Sequence, residues 1–377
     1  MNKKRLFIIT GELSGDKHAS LVVQNLLDSN SDIEIEAIGG ANLKKLGVKL
    51  FVDHSQAHMS AMGLTPKILF EHITLGSRLV NYLKNEYKPD LVLCIDYGGF
   101  NLNVSKFLKK AGIKVFYYIP PQIWASRKWR IKTVKKNIAK VMTIFPFEKE
   151  MYEKEGIDAQ FVGHPLVSQM PEASDRNEVF EKYGLDKNKK LVSIFPGSRT
   201  FELQYLMKTF LKSAELMQKD RDDIQFVIAQ ADSLKDETFN KYLGKNNIKV
   251  VKNDNYALLS VSDALMLASG TVALEAALYK TPMIISYRGP WIAYFVYRLV
   301  RCINRVCLPN IIMDKDIVPE LLQADSNPKT ISTALLKILD DDDYRQGMIA
   351  DLAQVKDILS RHEAAKEVAQ IIINELK

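Results

Sequence analysis

The chain has 377 residues, 47% of them hydrophobic and 26% charged, which is the composition of a soluble globular protein with room for two domains. No run reaches the roughly 18 apolar residues of a membrane-spanning helix. The net charge of +7 points to an anionic partner: a nucleotide, an anionic lipid surface or a nucleic acid. The three cysteines, Cys94, Cys302 and Cys307, lack metal-ligand spacing and read as reduced cytosolic thiols.

The N-terminal MNKKRLFIITGE is too short in its apolar part for a signal peptide, and Arg5 to Thr10 reads as the first strand. A Gly-bearing turn follows at Gly11 to Asp16, then a helix from His18 to Leu27 and a strand from Ile33 to Ile38. Leu91 to Ile95 is an apolar strand closing on Asp96-Tyr97-Gly98-Gly99-Phe100-Asn101. Val115 to Ile119 ends at Pro120-Pro121, and Val141 to Ile144 ends at Phe145-Pro146. A polar stretch from Ser168 to Lys190 reads as a linker. A second set of strands follows at Leu191 to Phe195, Phe226 to Ala229, Ile248 to Val251, Ala264 to Ala268 and Met283 to Ser286. From Ile331 the chain reads as helical, with an acidic break at Asp340 to Asp343 that fits a solvated loop better than a metal site.

This alternation predicts an α/β protein of two Rossmann-like doubly wound domains with a crevice between them. The expected division is 1–167, 168–345, and a helical tail 346–377 that packs back across the domains or onto a partner subunit. Ligands are expected at the C-terminal strand edge, where every strand closes on a polar or Gly/Pro turn.

Ser269, Gly270 and Thr271 form a strand-to-helix turn with free N–H groups, suited to a phosphate or diphosphate. Glu275, one helical turn on, leans back toward that turn as an acceptor for ribose hydroxyls. Gly197-Ser198-Arg199 and Tyr287-Arg288 are the neighbouring loops, and the Arg199 fork matches phosphate oxygens. Asp96, at the end of an apolar strand, is a candidate general base or a turn-stabilising Asp. Glu12 and Asp16 could bind acceptor hydroxyls or cap the helix. His18 and His164 read as structural. Met59 to Leu83 and Trp291 to Leu308 interleave apolar residues with cations. That suits a helix in a membrane interface, with Arg298, Arg301 and Arg305 snorkelling, and also suits a core helix or a homodimer interface.

Taken in order, GELSGD (11–16), CIDYGGFN (94–101), PQIWA (121–125), FPFEK (145–149), VGHP (162–165), FPGSR (195–199), ASGTVALE (268–275), YR (287–288) and LPN (308–310) resemble the successive motifs of lipid-A-disaccharide synthases. The resemblance implies a metal-independent, inverting glycosyltransferase of the B fold without a cofactor. Such an enzyme joins UDP-2,3-diacylglucosamine to 2,3-diacylglucosamine 1-phosphate, releases UDP and works at the cytosolic face of the inner membrane. It also implies an anionic membrane surface and no nucleic acid among the partners. UDP would be held by Gly197, Ser198, Arg199, Ser269, Gly270, Thr271, Glu275, Tyr287, Arg288 and Asn310, and the acceptor by Glu12, Ser14, Asp16, Met62 and Asn101. Asp96 and Arg199 would carry the catalysis. Gly99 stands where the family often has a second Asp, and Ser126 where it often has a Trp. A UDP-sugar epimerase of similar architecture is the alternative.

Overall fold

The computed structural model describes residues 3–29, 32–54, 66–244, 246–291 and 305–377, with the backbone alone for 66–69. Two compact units result: Met1–Pro165 together with Leu359–Lys377, and Leu166–Ile358.

The first unit is built on seven parallel strands: β1 (Lys4–Ile9), β2 (Ile33–Gly39), β3 (Lys49–Asp53), β4 (Leu91–Ile95), β5 (Val115–Tyr118), β6 (Lys140–Thr143) and β7 (Ala159–Phe161). They lie in the order β3-β2-β1-β4-β5-β6-β7. The two-residue period of a strand sends alternate side chains to opposite faces. Leu6 and Ile8 join Leu91, Leu93 and Ile95 in one core, whereas Phe7 and Ile9 join Val92 and Cys94 in the other. Both faces are covered, so these strands read as unbroken apolar runs.

Helix Leu13–Asp28 covers one face through Val22, Val23 and Leu26, and the C-terminal helix Ala364–Leu376 adds Ala364, Val368, Ile372 and Leu376 to the same core. Those four residues recur every fourth position and form one stripe of the helix. Of the tail expected from 346, residues 359–377 belong to the first unit and 346–358 stay in the second.

The second unit holds β8 (Lys190–Phe195), β9 (Ile224–Gln230), β10 (Lys249–Lys252), β11 (Ala264–Ala268), β12 (Met283–Tyr287) and β13 (Glu320–Leu322). Their order is β10-β9-β8-β11-β12-β13, all parallel. The stretch read as a linker carries a helix, Arg176–Lys182, capped by the Asp175 carboxylate on the Glu178 N–H.

Both units have the doubly wound strand order. In each, sequential winding reverses beside the first strand: between β1 and β4, and between β8 and β11. Ligands bind in such sheets beyond the carboxyl ends of the strands at this point. The loops that border the two switch points are Thr10 to Glu12 with Asp96-Tyr97, and Pro196 to Arg199 with Ser269 to Thr271.

Candidate active site

In the first unit the chain leaves β4 through two consecutive non-glycine residues in the left-handed region, Asp96 at φ +50° and Tyr97 at φ +51°. Each costs on the order of 1–3 kcal/mol and persists only where the surroundings over-determine it. Several surrounding groups do. The Asp96 N–H donates to the Tyr118 carbonyl at 3.1 Å. The Asp96 carbonyl accepts from the Tyr117 hydroxyl at 2.7 Å and from the Asn101 amide at 2.8 Å. The Tyr97 ring lies against Gly11, where a Cβ would come within 2.1 Å of it. The Tyr97 hydroxyl meets His72 Nε2 at 2.6 Å, and burial lowers the His72 pKa.

This packing leaves the Asp96 side chain partly exposed on a rigid loop. Burial raises its pKa; the Tyr97 backbone N–H opposes that, and the Glu12 charge adds to it. Glu12 and Ser14 are exposed at the start of helix Leu13–Asp28. A carboxylate with a raised pKa, held at a switch point by a strained backbone, has the makings of a proton acceptor.

Two expected acceptor ligands are anchors instead. Asp16 is fully buried, and its carboxylate accepts from the N–H groups of Gly40, Asn42 and Leu43 at 2.7, 2.9 and 3.4 Å. It caps helix Ala41–Lys45 rather than a ligand. Asn101 is also fully buried; its amide N–H donates to the Asp96 carbonyl, while its Oδ1 meets no hydrogen-bond partner among the described residues. Met62 lies outside the described residues, as does most of Trp291 to Leu308. At the end of that stretch, Arg305 pairs with Asp314 and Asp316. The helix Pro66–Tyr82 turns Leu75 and Leu79 into the core, while Phe70 and Ile73 are exposed, as is Leu13.

In the second unit β8 ends in Pro196-Gly197-Ser198-Arg199. Gly197 has φ +117°, and a Cβ there would lie 2.3 Å from Glu202 Oε2. That oxygen accepts from the Ser198 and Arg199 N–H groups at 2.7 and 3.1 Å. The anion position at this helix start is therefore filled by the chain's own carboxylate, so Gly197 and Ser198 shape the loop rather than offer N–H groups to a phosphate. Glu202 stands at the third helical position after Arg199, which is not the Ser or Thr that would mark a capping box in the sequence. The Arg199 side chain stays 58% exposed, with only a 3.8 Å contact to Glu202, and is free to turn to an anion.

The turn after β11 is different. Gly270 and Thr271 are exposed, and a Cβ on Gly270 would meet nothing within 4 Å. The helix Val272–Tyr279 starts here; the Ala273, Leu274 and Glu275 N–H groups are used on the Gly270 and Thr271 carbonyls, which leaves those of Gly270 to Val272 for an anion. Glu275 is partly buried behind the turn, with the Tyr256 hydroxyl 3.5 Å from Oε1; burial raises its pKa. Tyr287 is partly buried and Arg288 exposed at the end of the neighbouring β12.

Asn310, expected at the nucleotide, is fully buried. Its amide donates to Val318 O and Glu320 Oε1, and its carbonyl accepts from Ile317 and Val318 N–H. All of its hydrogen-bonding capacity is used in holding the segment before β13.

Among the described residues no three His, Cys, Asp or Glu side chains gather as a metal site, and no helix is long and apolar enough to cross a membrane.

A family model described as lipid-A-disaccharide synthetase matches residues 6–372. The lipid-A-disaccharide synthase of Syntrophus aciditrophicus is 35% identical over 383 aligned positions, covering 100% of this chain and 99% of that protein. That of Coxiella burnetii is 34% identical over 375 positions and covers 99% of each. Among solved structures, Staphylococcus aureus MnaA with UDP superposes with a TM-score of 0.68 at 14% identity, covering 98% of this chain and 96% of that one. The glycotransferase of kitacinnamycin gives 0.66 at 12% identity and covers 100% of both. A UDP-GlcNAc 2-epimerase from Neisseria meningitidis gives 0.61 at 14% identity and covers 99% of both. At such identities these structures speak for the shared two-unit fold alone.

Proposed function

We propose a residue-level reaction for this chain, which belongs to the lipid-A-disaccharide synthetase family and is a glycosyltransferase of lipid A disaccharide synthesis. The donor is UDP-2,3-diacylglucosamine, with its UDP on the second unit. The acceptor is 2,3-diacylglucosamine 1-phosphate, on the first. The acceptor's 6-hydroxyl oxygen attacks the anomeric carbon of the donor from the face opposite UDP. Its proton passes to the Asp96 carboxylate, the bond from the anomeric carbon to the diphosphate breaks, and UDP leaves, so the new β-1,6 linkage has inverted configuration.

A sugar hydroxyl is a poor nucleophile at neutral pH, and a positioned carboxylate contributes about 10²–10⁴ in rate by accepting its proton. The observation that carries the proposal is the left-handed Asp96-Tyr97 pair at the first switch point, whose carbonyl two side chains hold in place. Glu12 and Ser14 border it and are assigned to the acceptor sugar.

The leaving diphosphate is assigned to the open N–H groups at Gly270 to Val272, with Arg199 and Arg288 supplying positive charge. Together they do without a metal ion. Ser269 completes that turn, Glu275 takes the ribose hydroxyls, and Tyr287 lines the nucleotide. The exposed Leu13, Phe70 and Ile73 support a peripheral association with the cytosolic face of the inner membrane, from which the acyl chains would be drawn.

The deciding experiment incubates purified protein with both acylated sugars in excess chelator. Disaccharide 1-phosphate and UDP in equal amounts are expected. UDP released without disaccharide, or an activity lost in chelator and restored by magnesium or manganese, would overturn the reaction as written.

A further inference from the structure

The segment after β5 brings positive charge to the Asp96 loop. β4 and β5 are neighbours, with Ile95 paired to Tyr118, so the loops that follow them lie side by side. A Cβ on Gly98 would come within 2.7 Å of Pro121 Cβ; glycine is what lets the two loops touch. From Pro121 the chain runs to Arg127, in the left-handed region at φ +60° and ψ +44°, and into the 3₁₀ turn Lys128–Arg130. The Arg130 N–H donates to the Arg127 carbonyl at 3.0 Å. That bond closes the turn over Arg127 to Arg130 and keeps the two residues neighbours.

The Arg130 guanidinium is partly buried and is held below its ordinary pKa by that burial and by the Arg127 charge; the Tyr117 hydroxyl acts in the opposite direction. Tyr117 is the residue that holds the Asp96 carbonyl. The loop geometry, with Gly98 against Pro121, brings this segment beside the Asp96 loop, and Tyr117 is the residue through which the Arg130 charge is felt there. Arg176, Arg221 and Arg305 each reach a carboxylate. Among the described residues Arg127 and Arg130 have none within 4 Å. Two neighbouring, unneutralised guanidinium groups, one of them partly buried, are stabilised by a dianion that can take two-toothed hydrogen bonds from each.

We infer that Arg127 and Arg130 are the binding site for the phosphomonoester of the acceptor, and that they orient the sugar so that its attacking hydroxyl faces Asp96. This rests on the acceptor assignment above. The same chemistry is offered by anionic lipid headgroups, because Lys132, Lys135 and Lys136 continue the basic surface and Trp129 is 69% exposed beside it.

The test compares 2,3-diacylglucosamine 1-phosphate with the same lipid lacking the phosphate, both in neutral detergent micelles. Arg127→Ala and Arg130→Ala should each lower kcat/KM for the phosphorylated acceptor by about 10- to 100-fold, the worth of a charge-assisted hydrogen-bonded contact. Wild-type turnover of the unphosphorylated acceptor should be the lower of the two and should stay unchanged in the variants, and Arg130→Lys should recover part of the loss. A variant that lowers both acceptors equally has lost structure, and one that lowers neither has lost nothing; either result overturns the inference.

A binding arm does not depend on turnover. The phosphorylated lipid should shift the tryptophan fluorescence of the wild type, and the shift should be absent in Trp129→Phe and weakened in both arginine variants. If that holds while no disaccharide forms, the anion site stands and the reaction assignment fails. Vesicles containing anionic phospholipid separate the sources. If the variants lose vesicle binding yet keep full discrimination between the two acceptors, the pair is a membrane contact and the inference is overturned.

Discussion

The Tyr117 hydroxyl donates to the Asp96 carbonyl oxygen at 2.7 Å, and so fixes the left-handed turn that carries the carboxylate. The two residues are far apart in sequence but adjacent across the sheet, where Cys94 pairs with Tyr117. Tyr117→Phe should fold, lose about 1 kcal/mol of stability, and lose about tenfold in kcat, the equivalent of about 1.4 kcal/mol in the barrier. Asp96→Asn should lose about 10²–10⁴ in kcat with little change in KM. Both should bind UDP as the wild type does. Steady-state kinetics decide: a Tyr117→Phe enzyme with undiminished kcat would show that the tether does not aim the carboxylate.

Burial raises the Asp96 pKa most, and a smaller contribution in the same direction comes from Glu12. Its negative charge disfavours the ionised form of Asp96 and raises that pKa, as burial does. As the proposed base, Asp96 would work ionised, so kcat should rise with pH through its pKa. Glu12→Gln removes the neighbouring charge, lowers that pKa and should move the acid limb of the kcat–pH profile to lower pH. A limb that stays in place, or moves to higher pH, would remove either Asp96 as the base or Glu12 as its neighbour.

How far these features could be read from residues alone depended on burial. Leu91–Ile95 and Ala264–Ala268 match their expected limits because a parallel strand covered on both faces must be apolar throughout. β3, β7 and β13 were not read: they are short edge strands, and sequences such as Lys49-Leu50-Phe51-Val52-Asp53 carry polar residues where one side is open. The site loops were legible because glycine and proline mark the strand ends. Which polar side chains face outward was not legible. Asp16 and Asn310 turn inward because backbone groups further along the chain meet them there, Gly40 to Leu43 for one and Ile317 to Val318 for the other, and Asn101 turns in to the Asp96 carbonyl of its own loop. Tyr117 gave no signal at all, as an aromatic residue within a buried strand.

The donor loops should separate by kinetic signature. Arg199 is exposed and loosely paired, so it can follow charge onto the leaving diphosphate, and Arg199→Ala should cost on the order of 10²–10³ in kcat. Glu275 would touch the ribose equally in ground and transition states, so Glu275→Gln should weaken UDP binding and raise KM while leaving kcat near normal. Calorimetric titration with UDP checks the second outcome, and unaltered affinity would take Glu275 out of the site.

Membrane association can be separated from folding on one helix. Phe70 and Ile73 are 70% and 63% exposed, whereas Leu75 belongs to the core. Phe70→Ser with Ile73→Ser should leave the unfolding midpoint near that of the wild type and move the protein out of the membrane fraction, because each apolar side chain contributes roughly 1.5–3 kcal/mol when taken out of water. Leu75→Ser should instead destabilise by about 2–5 kcal/mol. Unchanged partitioning of the double variant would show that this face does not meet the membrane.

The last prediction concerns Glu148, a buried carboxyl outside the proposed chemistry. It accepts from Trp124 Nε1 at 2.8 Å and from the Phe145 N–H at 3.3 Å. Burial outweighs these donors and lifts its pKa from 4.5 to about 7. The folded state therefore holds this proton more tightly than the unfolded chain. The stabilisation is complete below pH 4.5 and is lost as pH rises through about 7. The whole loss is about 3 kcal/mol. His18 and His164 act with the opposite sign. Burial lowers them to about 4 and about 3, so their contribution is present above the ordinary histidine pKa and is lost as pH falls. Denaturant unfolding of wild type and Glu148→Gln across pH 4.5 to 8 cancels the histidine part, since both proteins share it. The difference curve should fall with pH, with the wild type losing stability relative to the variant, whatever constant offset the Gln amide introduces by facing the Phe145 N–H with a donor. A flat difference curve would mean that Glu148 has the same pKa folded and unfolded. A rising one would mean that the Trp124 and Phe145 donors dominate burial and hold the carboxylate ionised beneath the loops that follow β5 and β6.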